Sequence, residues 1–228
     1  MNQPLVSVVV AVQNGERFLS SALTSILNQG YRPLEIIVVD GRSEDNTAKI
    51  AQSFPEVRYL QQPNRGIADA YNTGIAAARG DIVAFLSHDD LWTPNKLSLQ
   101  VGYLTEHPEV QYTIAQMKYF LEPGHNVPRG FKQELLKGHH VGKIMETLVA
   151  RKTLFDAIGG FDGEMALAED ADWYARANDH KIPVAIIPEV LLHKRVHNTN
   201  ASSDAATSNR HLLKALKRSI ERKKLSTS

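Results

Sequence analysis

Four short apolar runs, LVSVVVAV (5–12), LEIIVVD (34–40), VRYLQQ (57–62) and DIVAFL (81–86), are rich in β-branched residues and nearly free of alternation. A strand with one wet face alternates, so these runs predict strands covered on both faces, as in a parallel sheet. Between them the period becomes helical. In ERFLSSALTSILNQG, Leu19, Ala22, Leu23, Ile26 and Leu27 recur at helical spacing and Gly30 offers a stop. SEDNTAKIAQSF begins with Ser43 and two early acids, and GIADAYNTGIAAARG closes on Gly80. Strand and helix in alternation imply an α/β chain with a Rossmann-like, doubly wound, mostly parallel sheet, helices on both faces and right-handed crossovers. Such sheets bind ligands beyond the carboxyl ends of their strands. Asp40 and the aspartates after Leu86 fall at such ends.

The second half is less regular. It reads as a helix near 94–106, a strand around 110–119 and a long surface loop, EPGHNVPRGFKQELLKGHHVGK. A helix near 165–179, a short strand at 183–188, a polar loop HNTNASSDAATSN and a basic helix from about 208 to 224 follow. The expected organisation is a single domain over 1–207, in two halves (1–95 and 96–207), followed by a basic C-terminal helix (208–228).

Composition narrows the chemistry. With 26 basic and 25 acidic side chains, no global field points to nucleic acid. The absence of cysteine removes disulfides, thiolate metal sites and cysteine nucleophiles, and a reducing compartment fits. LVSVVVAV is short and no basic residue precedes it, the first being Arg17, so it does not read as a signal peptide. No run approaches the roughly 18 apolar residues that span a bilayer. The expectation is a cytoplasmic protein.

FLSHDD (85–90) is the anomaly: two aspartates directly after a buried run. An ionised carboxylate withdrawn from water costs several kcal/mol unless it is paired or metal-bound. Asp90 has an ordinary reading as a cap for the helix that LWTPNK begins. Asp89 beside it suits a hard divalent cation bridging to a diphosphate.

With these segments in view, the chain resembles the inverting glycosyltransferases of family 2, which have the GT-A fold. VSVVVAVQNGERFL is similar to that family's first strand and turn, EIIVVDGRSEDNT to its nucleotide-binding segment, and NRGIADAYNTGIAAARGDIVAFLSHDD to its central helix and DxD region. GGFDGEMALAEDADWYARA resembles its GGFDE…ED…D-W region. The likeness runs from about residue 5 to residue 203.

The resemblance implies sugar transfer from a nucleoside diphosphate, UDP above all, to a hydroxyl acceptor, which the residues leave open among glycan, lipid-linked glycan, peptide and metabolite. It implies that Asp40 meets the base with Val12 and Asn14, and that Arg65, Gly66, Asp69 and Asn72 line the ribose and sugar side. For Asp69 and Asn72 the competing reading is helix surface and local capping. Ser87 and His88 fall in the donor-binding DxD region, and Asp89 becomes a Mn²⁺ or Mg²⁺ ligand. Arg195 and His197 match an R-x-H pattern whose histidine approaches the metal or the diphosphate. Asp170 becomes the general base, with Glu169 orienting acceptor hydroxyls. Three departures stand out: Ser87 replaces the first acid of the DxD, Gln13 a common aromatic, and Gly41 a second acid after Asp40. A non-catalytic nucleotide-sugar binding module is therefore the competing function. A dehydrogenase lacks its G-x-G-x-x-G turn here, where the chain has QNGERF.

RHLLKALKRSIERKK carries seven basic side chains against Glu221, with Leu213, Leu216 and Ile220 on one face. It reads as a terminal helix packed on the domain, and alternatively as a peripheral contact with an anionic membrane.

Overall fold

A computed structural model describes residues 3–122, 124–128, 131–165, 167–198 and 205–225, the last with side chains for 210–224. The first strands are β1 (Val6–Val12), β2 (Leu34–Asp40), β3 (Val57–Gln61) and β4 (Ile82–Ser87), with helices α1 (Leu19–Leu27), α2 (Thr47–Gln52) and α3 (Ile67–Ala77) between them. β1 pairs in parallel with both β2 and β4, and β2 with β3, so the order β3-β2-β1-β4 reverses direction at β1. A crevice forms where strand order reverses. Val12 and Asp40 are register partners there, as are Ala11 and Ser87.

The apolar runs behave as expected because every residue of β1 is buried. Val6, Val8, Val10 and Val12 enter one core with α1, and Val9 and Ala11 enter the other with α3. Each of these valines contributes about 1.5–3 kcal/mol on burial. β3 is only partly covered, as befits the sheet edge. α3 lies close on β1: a Cβ on Gly74 would stand 2.2 Å from a Val9 methyl. α2 begins at Thr47 rather than at Ser43, and Asp45 accepts its first N–H at 2.9 Å.

Beyond β4 come β5 (Leu91–Trp92), α4 (Lys96–Glu106), β6 (Tyr112–Leu121), β7 (His140–Val141), β8 (Val149–Arg151), α5 (Thr153–Ile158), α6 (Glu169–Asp179), β9 (Val184–Val196) and α7 (Ala205–Leu225). All nine strands join one sheet, ordered β3-β2-β1-β4-β8-β6-β9-β5, with β7 on β6. The long loop carries a 3₁₀ turn at Gln133–Leu136 as well as β7. The short strand expected at 183–188 is instead a 13-residue strand. A bulge hides its length: Ala115 opposes Ile187, Gln116 opposes Val190 and Met117 opposes Leu192, so β9 carries three more residues than β6 across this stretch. Pro188 sits within the bulge, where its missing N–H is tolerated. Of the polar loop expected at 197–209, residues 199–204 lie outside the described set, and α7 begins at Ala205. No described helix is long and apolar enough to cross a membrane.

Candidate active site

The loops after β1 and β2 are tied to each other. Gly41 N–H donates to the Val12 carbonyl at 2.7 Å, Asn14 N–H to the Ser43 hydroxyl at 2.7 Å, and Glu44 N–H to Asn14 Oδ1 at 3.0 Å. Val12, Asn14 and Asp40, the expected base pocket, are thus neighbours. Asp40 is 1% exposed. Its Oδ1 accepts from the Ser43 N–H (2.9 Å) and hydroxyl (2.6 Å), and its Oδ2 from Tyr59 at 2.6 Å. Burial, with Asp40 beside it, pushes the Tyr59 hydroxyl up to about 12. A base docking at Asp40 therefore shares an oxygen already serving one of these groups. Gln13 donates to the Gly41 carbonyl at 3.1 Å.

The exit of β4 packs against this rim. A Cβ on Gly15 would lie 2.8 Å from the His88 ring and 2.4 Å from a Val12 methyl, so only glycine lets the two loops approach this closely. Asp90 is not the cap of the following helix. It is wholly buried and accepts from Lys194 Nζ at 2.9 Å and from the Arg195 N–H at 2.8 Å. The segment after it forms β5, antiparallel to β9, before α4 starts at Lys96. Asp89 and His197, both expected at a cation, meet at 3.0 Å between Oδ2 and Nε2. Burial would raise the Asp89 carboxyl, but the His197 hydrogen bond and the charges of His88 and Lys194 hold it at about 2. Burial lowers the His88 imidazole. One carboxylate and one imidazole fit a hard cation that takes its remaining oxygens from a diphosphate and water. Among the described residues no group of three or more His, Cys, Asp or Glu is disposed to hold a metal without such a partner.

Arg195 turns to the Asp89 backbone. Its Nε donates to the Asp89 carbonyl at 2.8 Å, its Nη1 pairs with Glu122, and its guanidinium carbon lies 4.6 Å and 4.8 Å from the Phe18 and Phe120 ring centroids. It thereby fixes the loop that carries Asp89.

Two residues central to this site were not assigned a role from sequence. Glu146, in a 3₁₀ turn at Met145–Thr147, is 7% exposed and accepts from the Ser87 hydroxyl. Lys194 Nζ lies 3.5 Å from Glu146 and 2.9 Å from Asp90, bridging them. Burial would lower its ammonium, yet Asp90, Glu146 and Asp89 outweigh burial and move it up. The signal for Glu146 was an acid inside the apolar run IMETLVA, the same anomaly that marks FLSHDD.

Glu169 and Asp170 open α6. Burial, then the charge of Asp170, lifts Glu169 to about 7. Burial, with Glu146 adding and the Ala171 N–H and Lys194 opposing, lifts Asp170 to about 6. Asp172, third acid of the turn, has a different task. It holds Arg176 at 2.8 Å, and Arg176 donates to the carbonyls of Ile158, Gly159 and Gly160. Trp173 and Ala177 are fully buried on the core face.

The start of α3 is less concentrated. Gly66, with φ of 94°, and Arg65 are exposed. Asp69 accepts from Asn64 N–H and Nδ2, the local-capping alternative. Asn72 clamps the backbone of Phe161 with two 2.8 Å hydrogen bonds, one to its carbonyl and one from its N–H.

Residues 7–167 match the family model for Glycosyl transferase family 2. An uncharacterised glycosyltransferase of Rickettsia typhi is 31% identical over 216 residues, covering 89% of this chain and 67% of its own length. One from Methanocaldococcus jannaschii is 26% identical over 215 residues, covering 87% and 73%. Among solved structures, S. aureus TarS 1–349 in complex with UDP-GlcNAc superposes with a TM-score of 0.76 at 20% identity, over 95% of this chain and 66% of that one. The mannosyltransferase PcManGT from Pyrobaculum calidifontis, in complex with GDP-Man and Mn²⁺, gives 0.73 at 22% identity, over 97% and 65%.

Proposed function

Because the chain belongs to glycosyl transferase family 2 and has the GT-A fold, we propose that it transfers a hexosyl group from a nucleoside diphosphate, UDP foremost, to a hydroxyl with inversion. The observation that carries this reading is that Asp89 meets His197 at 3.0 Å at the exit of β4, beside the loops after β1 and β2, with Lys194 bridging Asp90 and Glu146 behind it.

The base of the donor rests on the loops after β1 and β2, against Val12, Asn14 and Asp40, and its diphosphate reaches the exit of β4. Asp89, ionised at any ordinary pH, and His197 are the residues that would hold Mn²⁺ or Mg²⁺, which when bound neutralises charge on the leaving diphosphate. Asp170 accepts the proton of the acceptor hydroxyl as that oxygen attacks from the face opposite the diphosphate. A carboxylate with an affinity for protons raised to about 6 is suited to this and remains largely ionised near neutrality. Glu169 beside it orients the acceptor.

The test is a panel of UDP, GDP, UDP-GlcNAc and GDP-Man with Mn²⁺ or with EDTA, read first by thermal shift and then by donor turnover. UDP and its sugars should raise Tm only with the cation, and turnover should fall about a thousandfold in Asp170→Asn. The Ser87 hydroxyl, bound to Glu146 where the family carries an acid, favours the non-catalytic module as second reading. Cation-dependent UDP binding without donor hydrolysis or transfer would select it, and no stabilisation by any nucleotide would overturn both.

A further inference from the structure

The last helix divides its side chains between two partners. Towards the domain, Arg218 pairs with Asp162 and, at 2.9 Å, with Glu164; Lys214 reaches Glu164 at 3.0 Å; Arg222 and Ser219 hold Asp179 at 2.9 Å and 2.8 Å. Ala215 and Ser219 are buried on that side. The packed reading of the helix is therefore correct for this face.

The other face is apolar and open. Leu212, Leu213, Leu216 and Ile220 are 43%, 68%, 58% and 47% exposed. At spacings of one, four and eight residues from Leu212 they form one stripe. These four are half of the eight large hydrophobic side chains that stand exposed among the described residues. Arg210, Lys217 and Lys224, seven residues apart and all exposed, follow one edge of the stripe. Charge is concentrated here too: residues 205–225 hold seven basic side chains and one acid, while the rest of the chain holds nineteen basic and twenty-four acidic. An apolar stripe edged by cations, on a helix otherwise fixed to an acidic body, matches a surface that offers hydrocarbon beneath anionic headgroups.

We propose that this face of α7 lies on an anionic lipid surface, with Leu212, Leu213, Leu216 and Ile220 at the level of the acyl chains and the lysines and arginine among the headgroups. The ion pairs to Asp162, Glu164 and Asp179 keep the domain attached to the helix when it does so, and the body, with its excess of acids, stays away from the bilayer.

Co-sedimentation of the full chain with phosphatidylcholine vesicles, with and without about a third phosphatidylglycerol, tests this. Binding should require the anionic lipid and weaken at least tenfold between 50 mM and 500 mM salt. Leu213→Glu with Leu216→Glu should reduce vesicle binding more than tenfold at unchanged Tm and unchanged nucleotide thermal shift, and Lys217→Glu should reduce it less. No binding to the anionic vesicles, or binding indifferent to the double variant, would overturn the proposal. So would sedimentation velocity showing a dimer that the double variant dissociates while the parent ignores vesicles, since a second copy would then cover the stripe.

Discussion

The pairs Asp89–Asp90 and Glu169–Asp170 are alike in composition and opposite in setting. The first lies against Lys194 and His197 with His88 beside it, and there Asp89 is held at about 2 while burial lifts its neighbour Asp90 to about 7 against the charge of Lys194. The second is dominated by burial, to which Glu146 adds at both residues while Lys194 opposes it at Asp170, and its members rise to about 7 and 6. The carboxyl of Asp89 is thus a fixed negative charge while that of Asp170 keeps its proton up to about 6, and their surroundings make the difference. Glu146 and Lys194 connect the two settings.

The sharpest way to break this comparison is Asp170→Asn. It should reduce kcat about a thousandfold, or about 4 kcal/mol, while Mn²⁺-supported UDP affinity stays within about threefold. Turnover within tenfold of the parent would remove Asp170 from the role. Next comes Lys194→Met, which leaves Asp90 and Glu146 buried without their cation and should cost about 3 kcal/mol of stability, read as a lower denaturant midpoint at unchanged slope. An unchanged midpoint would mean that Lys194 is not the bridge. His197→Ala, acting at the first pair, should weaken Mn²⁺-dependent UDP binding by about tenfold to a hundredfold with little change in cation-free binding, measured by titration calorimetry.

The smallest expected effect concerns pH. Glu169 binds its proton more tightly folded than unfolded, so its contribution to stability is complete below the ordinary carboxylate range and is lost as pH rises through about 7. Glu169→Gln should therefore stabilise the chain by about 1–3 kcal/mol at pH 8 and hardly at all at pH 4. Transfer should rise with pH through about 6, as Asp170 loses its proton, and then level off. A flat profile between pH 5 and 8 would contradict the assignment of the second pair.

How legible these features were depended on whether their cause was local. β1, β2 and β4 could be read because burial on two faces writes an unbroken apolar run, and α1 because Leu19, Leu23 and Ile26 share a face. β5 and β8, of two and three residues, are too short to carry a period. The base-pocket loops, the meeting of Asp89 with His197 and the placement of Glu169–Asp170 in one charged region follow from segments whose types and order were visible. Glu146 and Lys194 were not assigned because their roles come from pairing across the chain: Glu146 meets Ser87 at a separation of 59 residues, and Lys194 meets Asp90 at 104. Asn72 shows the same. Its type and position marked it only as a polar residue of α3, and the two hydrogen bonds to the backbone of Phe161, 89 residues away, could not be read locally.

The bulge in β9 sets the phase of everything downstream. Because three inserted residues is an odd number, the inward and outward faces of the strand exchange places at the bulge, and Lys194 arrives inside beside Tyr119 while His193 faces out beside Lys118. Deleting one residue between 188 and 191 would carry Lys194 to the outward place of His193 and bring Arg195 to the place where the bridging ammonium belongs. In that stretch, how many residues there are matters more than which ones they are.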